Sequence, residues 1–263
     1  MCDELLLWGN DCSLNEKGST LRIFHPAKRT SDCIALIFAG GAYAFRSPHE
    51  DVGYAEFLAE NGVLSAVVDY RVRPNEFPTT LSDAQRAVQT VRYMADSLGI
   101  DKNKIVVMGS SAGGHLAALV STYNKLVYEG RDEISKQDFK PNAQVLCYPV
   151  ISFTNDSITH HDTVKNFLGN SIITKEEVSP DLIADEKTPQ AFIWHTFTDE
   201  GVSVLNSIEY FKALKSKNVN CEMHIFPEGG HGYGLFCGED RVAKHNSKWS
   251  DMLLAWLRFI NFL

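Results

Sequence analysis

The stretch K-I-V-V-M-G-S-S-A-G-G-H-L at 104–116 decides the fold. Its β-branched first half reads as a buried strand and its second half opens a helical period, with only a tight turn between them. Inside that turn Gly109 and Gly113 flank Ser111 as G-x-S-x-G. The spacing has a steric reason: the residues two before and two after an apical serine come close together, and side chains there would collide. Ser111, rather than Ser110, is therefore expected at the apex, at a helix N-terminus where free N–H groups and the helix dipole favour developing negative charge. A phosphate-binding turn is the competing reading. G-S-S-A-G-G does not match G-x-G-x-x-G, and no Lys follows as a P-loop requires.

Outward from this turn, short apolar runs recur at Cys33–Phe38, Val63–Val68, Gln144–Tyr148, Ala191–His195 and Cys221–Phe226, joining Lys104–Met108. Between and after them lie helical periods at Tyr54–Glu60, Leu81–Leu98, Ala112–Val127, Val204–Lys217 and Trp249–Phe262. Strands that alternate with helices predict an α/β class with a mostly parallel central sheet flanked by helices. No repeat or linker divides the chain, so one domain over 1–263 is expected. The weakly periodic stretch 152–189 reads as a small cap-like excursion over the site, because long insertions in compact domains are usually functional.

Composition narrows the function. With 25 Lys and Arg against 33 Asp and Glu the net charge is −8, and no basic stripe of the kind nucleic-acid binding needs is present. No apolar run approaches a membrane span, and the opening M-C-D-E-L-L-L-W lacks a basic n-region, so a cytoplasmic protein is expected. The six cysteines, at 2, 12, 33, 147, 221 and 237, show no C-x-x-C pair and read as reduced, buried or partly buried thiols. Homodimerisation is left open.

A serine hydroxyl needs a base. Of nine histidines His231 is the best placed, in the loop E-G-G-H-G-Y after the last strand. His224 lies within that strand; His195 ends the strand before it and is read as holding a turn. His160 and His161, beside Asp162, lack metal-ligand spacing and read as surface loop residues. The acid that holds the base is expected at Asp199, in T-F-T-D-E-G-V after the strand ending at His195, with Glu200 and Asp185 as rivals. Ser111, Asp199 and His231 then run in the chain order of α/β-hydrolases. For the oxyanion, F-A-G-G-A-Y at 38–43 nominates the backbone N–H of Gly41, with that of Ala112 and Gly40 as a third candidate. Tyr43, Phe45, Tyr148, Tyr233 and Phe236 sit beside these segments as pocket walls or packing. D-Y-R at 69–71 reads as a structural Asp–Arg pair.

Across nearly its whole length the sequence resembles small α/β-hydrolases of the acetyl-xylan esterase and feruloyl-esterase-like group. The resemblance is carried by F-A-G-G-A-Y (38–43), D-Y-R-V (69–72), D-A-Q-R-A-V (83–88), G-S-S-A-G-G-H-L (109–116), C-Y-P-V-I-S (147–152), T-P-Q-A-F-I-W-H-T (188–196) and H-I-F-P-E-G-G-H-G (224–232). It implies an α/β-hydrolase fold and a serine esterase without metal or organic cofactor, with its triad on Ser111, Asp199 and His231. The implied substrate is a small acylated, above all acetylated, sugar or oligosaccharide. A general short-chain esterase or an acylaminoacyl or prolyl-type peptidase on the same fold is the alternative, and a non-enzymatic binding module the remotest. One departure stands out: Ala42 occupies a place where the family often has a third glycine.

Overall fold

Burial on both faces selects the apolar runs into the middle of one sheet. The computed structural model describes residues 2–9 and 18–263. Among them the chain order is β1 (Cys2–Leu6), β2 (Thr20–Phe24), β3 (Ile34–Phe38), α1 (Val52–Glu60), β4 (Leu64–Asp69), α2 (Thr79–Tyr93), α3 (Ala95–Leu98), β5 (Ile105–Ser110), α4 (Ser111–Thr122), β6 (Ala143–Cys147), α5 (His161–Leu168), α6 (Pro180–Ile183), β7 (Ala191–Thr196), α7 (Leu205–Ser216), β8 (Cys221–Phe226), α8 (Arg241–Asn246) and α9 (Lys248–Phe259).

The strands form one sheet in the order β1-β2-β4-β3-β5-β6-β7-β8. From β4 to β8 every neighbouring pair is parallel, whereas β1–β2 and β2–β4 are antiparallel. Side chains alternate between the faces, as β3 illustrates. Ile34, Leu36 and Phe38 join the core shared with α2, α4, α5 and α7, while Ala35 and Ile37 join the core under α1 and α9. The chain is thus a three-layer α/β structure, and the parallel strands aim their carboxyl ends at one edge.

Each apolar run expected as a strand is one, within about two residues at either end. The antiparallel strands β1 and β2 carry no such signature, because both are short and partly exposed and neither shows a continuous apolar run. The period over 81–98 divides into α2 and α3 at Met94, and Gly99 closes α3 in the left-handed conformation (φ 62°). The helix after Ser111 stops at Thr122, short of Val127. Ser121 and Thr122 turn their hydroxyls back onto the Ala117 and Ala118 carbonyls (2.7 and 2.9 Å), and Tyr123 is extended.

The segment 152–189 carries α5, a single 3-10 turn (Glu176–Val178) and α6. Among the bonds that tie it to the rest of the fold, Asn166 Nδ2 donates to Ala42 O (2.9 Å), Phe77 N to Phe167 O (2.7 Å) and His115 Nε2 to Val178 O (2.9 Å), while Phe153 N donates to Ser179 Oγ (2.7 Å) within the segment. The Asp–Arg reading of 69–71 needs correction, because the two residues take separate partners. Arg22 holds Asp69 (2.7 Å), whereas Arg71 pairs with the fully buried Asp83 (2.6 Å) on α2, which also accepts from Trp8 Nε1. Cys33 and Cys147 are buried free thiols, Cys221 is half-buried and Cys237 is exposed, unlike the expectation for it. Cys12 and the side chain of Cys2 lie outside the described residues.

Candidate active site

Ser111 opens α4 directly at the carboxyl end of β5. Its φ of 53° is in the left-handed region, a conformation that costs a non-glycine residue about 1–3 kcal/mol and lifts its side chain off the sheet. The flanking glycines are sterically required. A Cβ on Gly109 would meet the Gly113 carbonyl, and one on Gly113 would meet the Phe38 and Ala39 backbone.

His231 Nε2 stands 2.8 Å from Ser111 Oγ, and His231 Nδ1 stands 2.8 Å from Asp199 Oδ2. Three residues from the ends of β5, β7 and β8 thus form one chain of hydrogen bonds. Asp199 is almost fully buried and amply served: Gly201 N and Val202 N both donate to its Oδ1 (2.9 Å each). Burial alone would raise its carboxyl, but hydrogen bonds from His195, His231 and the Val202 amide outweigh burial and hold it well below the usual carboxylate range. An ionised Asp199 fixes the proton of His231 on Nδ1 and leaves Nε2 to accept from the serine.

His195 fills the turn-holding place expected of it. Its Nε2 faces two acceptors, Val202 O (2.9 Å) and Asp199 Oδ2 (3.2 Å), so Nε2 carries the proton and Nδ1 accepts from Ser207 Oγ (2.8 Å). Of the rivals, Glu200 is exposed, Asp185 accepts from Asn124 at 2.8 Å, and His224 pairs with Glu222 at 2.8 Å. His160 is half-buried rather than a surface loop residue. Its Nδ1 caps α5 by accepting from Thr163 N (3.3 Å), and burial holds the ring below the usual histidine pKa. Among the described residues no group of three or more His, Cys, Asp or Glu is arranged to hold a metal ion.

The oxyanion candidates separate. The Ala112 N–H lies in the first turn of α4, where a helix leaves its amides without partners. Among the described residues none accepts the Gly41 amide either. Gly40 is different: its N–H donates to Glu50 Oε2 at 3.0 Å, which removes it from the set of free donors. Of the neighbouring aromatics, Tyr43, Tyr148 and Phe236 are buried, while Phe45 and Tyr233 are exposed beside the site.

Two contacts escaped the sequence. Tyr43 O–H donates to His115 Nδ1 (2.7 Å), so His115 clasps the loop after β3, helix α4 and the 152–189 segment together. Gly201 leaves no room for a side chain, since a Cβ there would stand 2.8 Å from His231 Cβ. A histidine inside the motif after Ser111 and a glycine after Asp199 were visible signals, but their partners are distant in sequence.

Known proteins share this frame. A model of the BD-FAE family matches residues 21–214, a span that includes Ser111 and Asp199. An acetylxylan esterase of Xylanibacter ruminicola is 27% identical over 247 residues, covering 90% of this chain and 49% of that protein. Endo-1,4-beta-xylanase B of Butyrivibrio fibrisolvens is 33% identical over 208 residues, covering 76% of this chain and 32% of its own. The chain therefore spans about half or less of the length of these two relatives. The crystal structure of an acetyl ester-xyloside bifunctional hydrolase from Caldicellulosiruptor lactoaceticus superposes with a TM-score of 0.89 at 33% identity, over 99% of this chain and 97% of that one. From the elbow at Ser111, the mostly parallel sheet and this agreement along the sequence, the chain belongs to the BD-FAE family and has the α/β-hydrolase fold.

Proposed function

We propose that the protein is a serine carboxylic-ester hydrolase that removes short acyl groups, acetyl foremost, from acylated carbohydrates. The observation that carries this reading is the unbroken run from Ser111 Oγ through His231 to Asp199, 2.8 Å at each step. Its similarity to an acetylxylan esterase and to an acetyl ester-xyloside hydrolase supports the substrate class.

In this mechanism Ser111 Oγ attacks the ester carbonyl while its proton passes to His231 Nε2, and ionised Asp199 stabilises the imidazolium. The carbonyl oxygen, now negative, accepts from the Gly41 and Ala112 N–H groups. His231 returns the proton to the departing sugar oxygen, leaving an acyl group on Ser111. Water then attacks that ester, gives its proton to His231, and the carboxylic acid leaves as the proton returns to Ser111. Neither metal nor organic cofactor enters any step.

The test compares the wild type with Ser111→Ala on 4-nitrophenyl acetate, butyrate and octanoate, on peracetylated xylose, and on matched amides. Turnover that favours acetate, extends to the acetylated sugar and vanishes in the variant is the expected result. Equal rates in both proteins would remove Ser111 as nucleophile, and preference for amides would reassign the chain to peptide chemistry. No helix among the described residues is long and apolar enough to cross a membrane. We place the enzyme in the cytoplasm, acting on small acylated sugars; activity recovered from culture medium without lysis would reverse that placement.

A further inference from the structure

The direction in which the Gly41 amide points is set by its neighbours. A trans peptide holds its N–H and C=O on opposite sides. The Gly40 carbonyl accepts from Ser47 N at 3.0 Å, so the Gly41 N–H of the same peptide faces away from Ser47. A Cβ built on Gly40 would lie 3.0 Å from Ser111 Cβ, which puts this peptide against the nucleophile. One peptide earlier, the Gly40 N–H is held by Glu50 Oε2 at 3.0 Å and the Ala39 carbonyl by the Tyr70 hydroxyl.

Glu50 is only 2% exposed. Its other oxygen, Oε1, accepts from the Tyr148 hydroxyl at 2.7 Å, and the Tyr148 oxygen in turn accepts from Gly234 N at 3.0 Å, in the loop that carries His231. Tyr148 is itself held at φ 36°, an unfavourable value for a tyrosine, and its ring centroid lies 5.0 Å from that of His231. Burial keeps Tyr148 protonated, so its hydroxyl remains a donor. Among the described residues no Lys, Arg or His pairs with Glu50. A buried carboxyl without a cation destabilises a fold, and an apolar residue of the same size would serve packing better. A cost of that kind is expected at functional sites.

We propose that Glu50 is a positioning residue for the oxyanion donors. It holds the Gly40–Gly41 segment so that the Gly41 N–H faces the carbonyl oxygen of the substrate, and through Tyr148 it fixes that segment relative to the His231 loop. The inference rests on the serine-hydrolase reading above and adds a residue to it.

Glu50→Gln tests it, because the new side chain has one acceptor oxygen where two donors need one each. With 4-nitrophenyl acetate, and with active sites counted by a fluorophosphonate, kcat per site should fall about tenfold or more while KM stays within about twofold. That is less than the roughly 10²–10³ lost when an oxyanion donor is removed outright. The Ki of a trifluoromethyl ketone, whose adduct with Ser111 bears the same negative oxygen, should rise by the factor that kcat/KM falls. Tyr148→Phe, which removes one of the two donors to Glu50, should reproduce part of both effects and serves if Glu50→Gln does not fold. Wild-type kcat per titrated site with an unchanged Ki, even alongside a lower melting temperature, would overturn the proposal, since Glu50 would then only support the fold. A wild type that turns over no ester would overturn the underlying reading before any variant is made.

Discussion

Gly201 shows how narrowly one residue can set the chemistry. Its N–H serves Asp199 Oδ1, and its missing side chain lets His231 close to within the 2.8 Å that bonds it to Ser111. In Gly201→Ala the new methyl must push the imidazole aside, and displacement by about 1 Å can cost roughly 10²-fold in rate. We expect kcat/KM for 4-nitrophenyl acetate to fall about 10- to 100-fold with an unchanged far-ultraviolet circular dichroism spectrum; wild-type turnover would show that the loop gives way instead. The three residues of the hydrogen-bonded chain were legible because each sits just after a run that reads as a strand. Gly201 and Glu50 were not, because what gives them meaning is a neighbour 30 or more residues away, or a buried carboxyl in a segment without periodicity.

At the scale of elements, the elbow between β5 and α4 holds the most concentrated constraint. Gly113 lies against the Phe38 carbonyl of β3 as well as within its own turn, so the helix and the oxyanion segment are packed through a point that admits no side chain. Gly113→Ala should lower unfolding stability by about 1–3 kcal/mol, the usual range for overpacking, read as a lower denaturant midpoint with an unchanged slope. An unchanged midpoint would mean that β3 and α4 can separate freely. The parallel strands were readable for a related reason: burial on both faces leaves an uninterrupted apolar signature. β1 and β2 lie at the antiparallel margin, where one face meets solvent and polar residues such as Asp3, Glu4 and Arg22 break the run. The 152–189 segment was legible as a stretch of weak periodicity, but its anchorage was not. The hydrogen bonds that tie it down reach residues as far as 124 positions away in the chain.

Across the whole molecule, His115 couples acidity to stability. Burial lowers it from 6.5 to about 3, the Val178 carbonyl only partly opposing, while the unfolded chain leaves it near its ordinary value. Between those values the unfolded state binds a proton that the folded state refuses, so stability is full above about pH 6.5 and is lost as the pH falls toward 3. Asp199, held low in the folded state, adds to the loss in the same direction at the acid end of that range. The denaturant midpoint should therefore drop from pH 7 to pH 4, with a shallower dependence in His115→Asn. Equal slopes in the two proteins would remove His115 as a source. Asp83 offers a second test at this scale, since it joins Trp8, Arg71 and α2 in the interior. Asp83→Ala removes the buried carboxylate on which Arg71, Trp8 and Ser19 all converge, and a loss of about 3–5 kcal/mol in unfolding free energy is expected.

The placement of Ser111, Asp199 and His231 at the ends of β5, β7 and β8 also has a kinetic meaning. Contacts between residues far apart in the chain form late, because closing long loops costs entropy before the contacts repay it. The His231 loop follows β8, which pairs with β7 at the margin of the sheet. A chain refolding from denaturant can regain most of its helical signal while still unable to hydrolyse anything. Return of turnover then becomes a clock for the docking of the last strand.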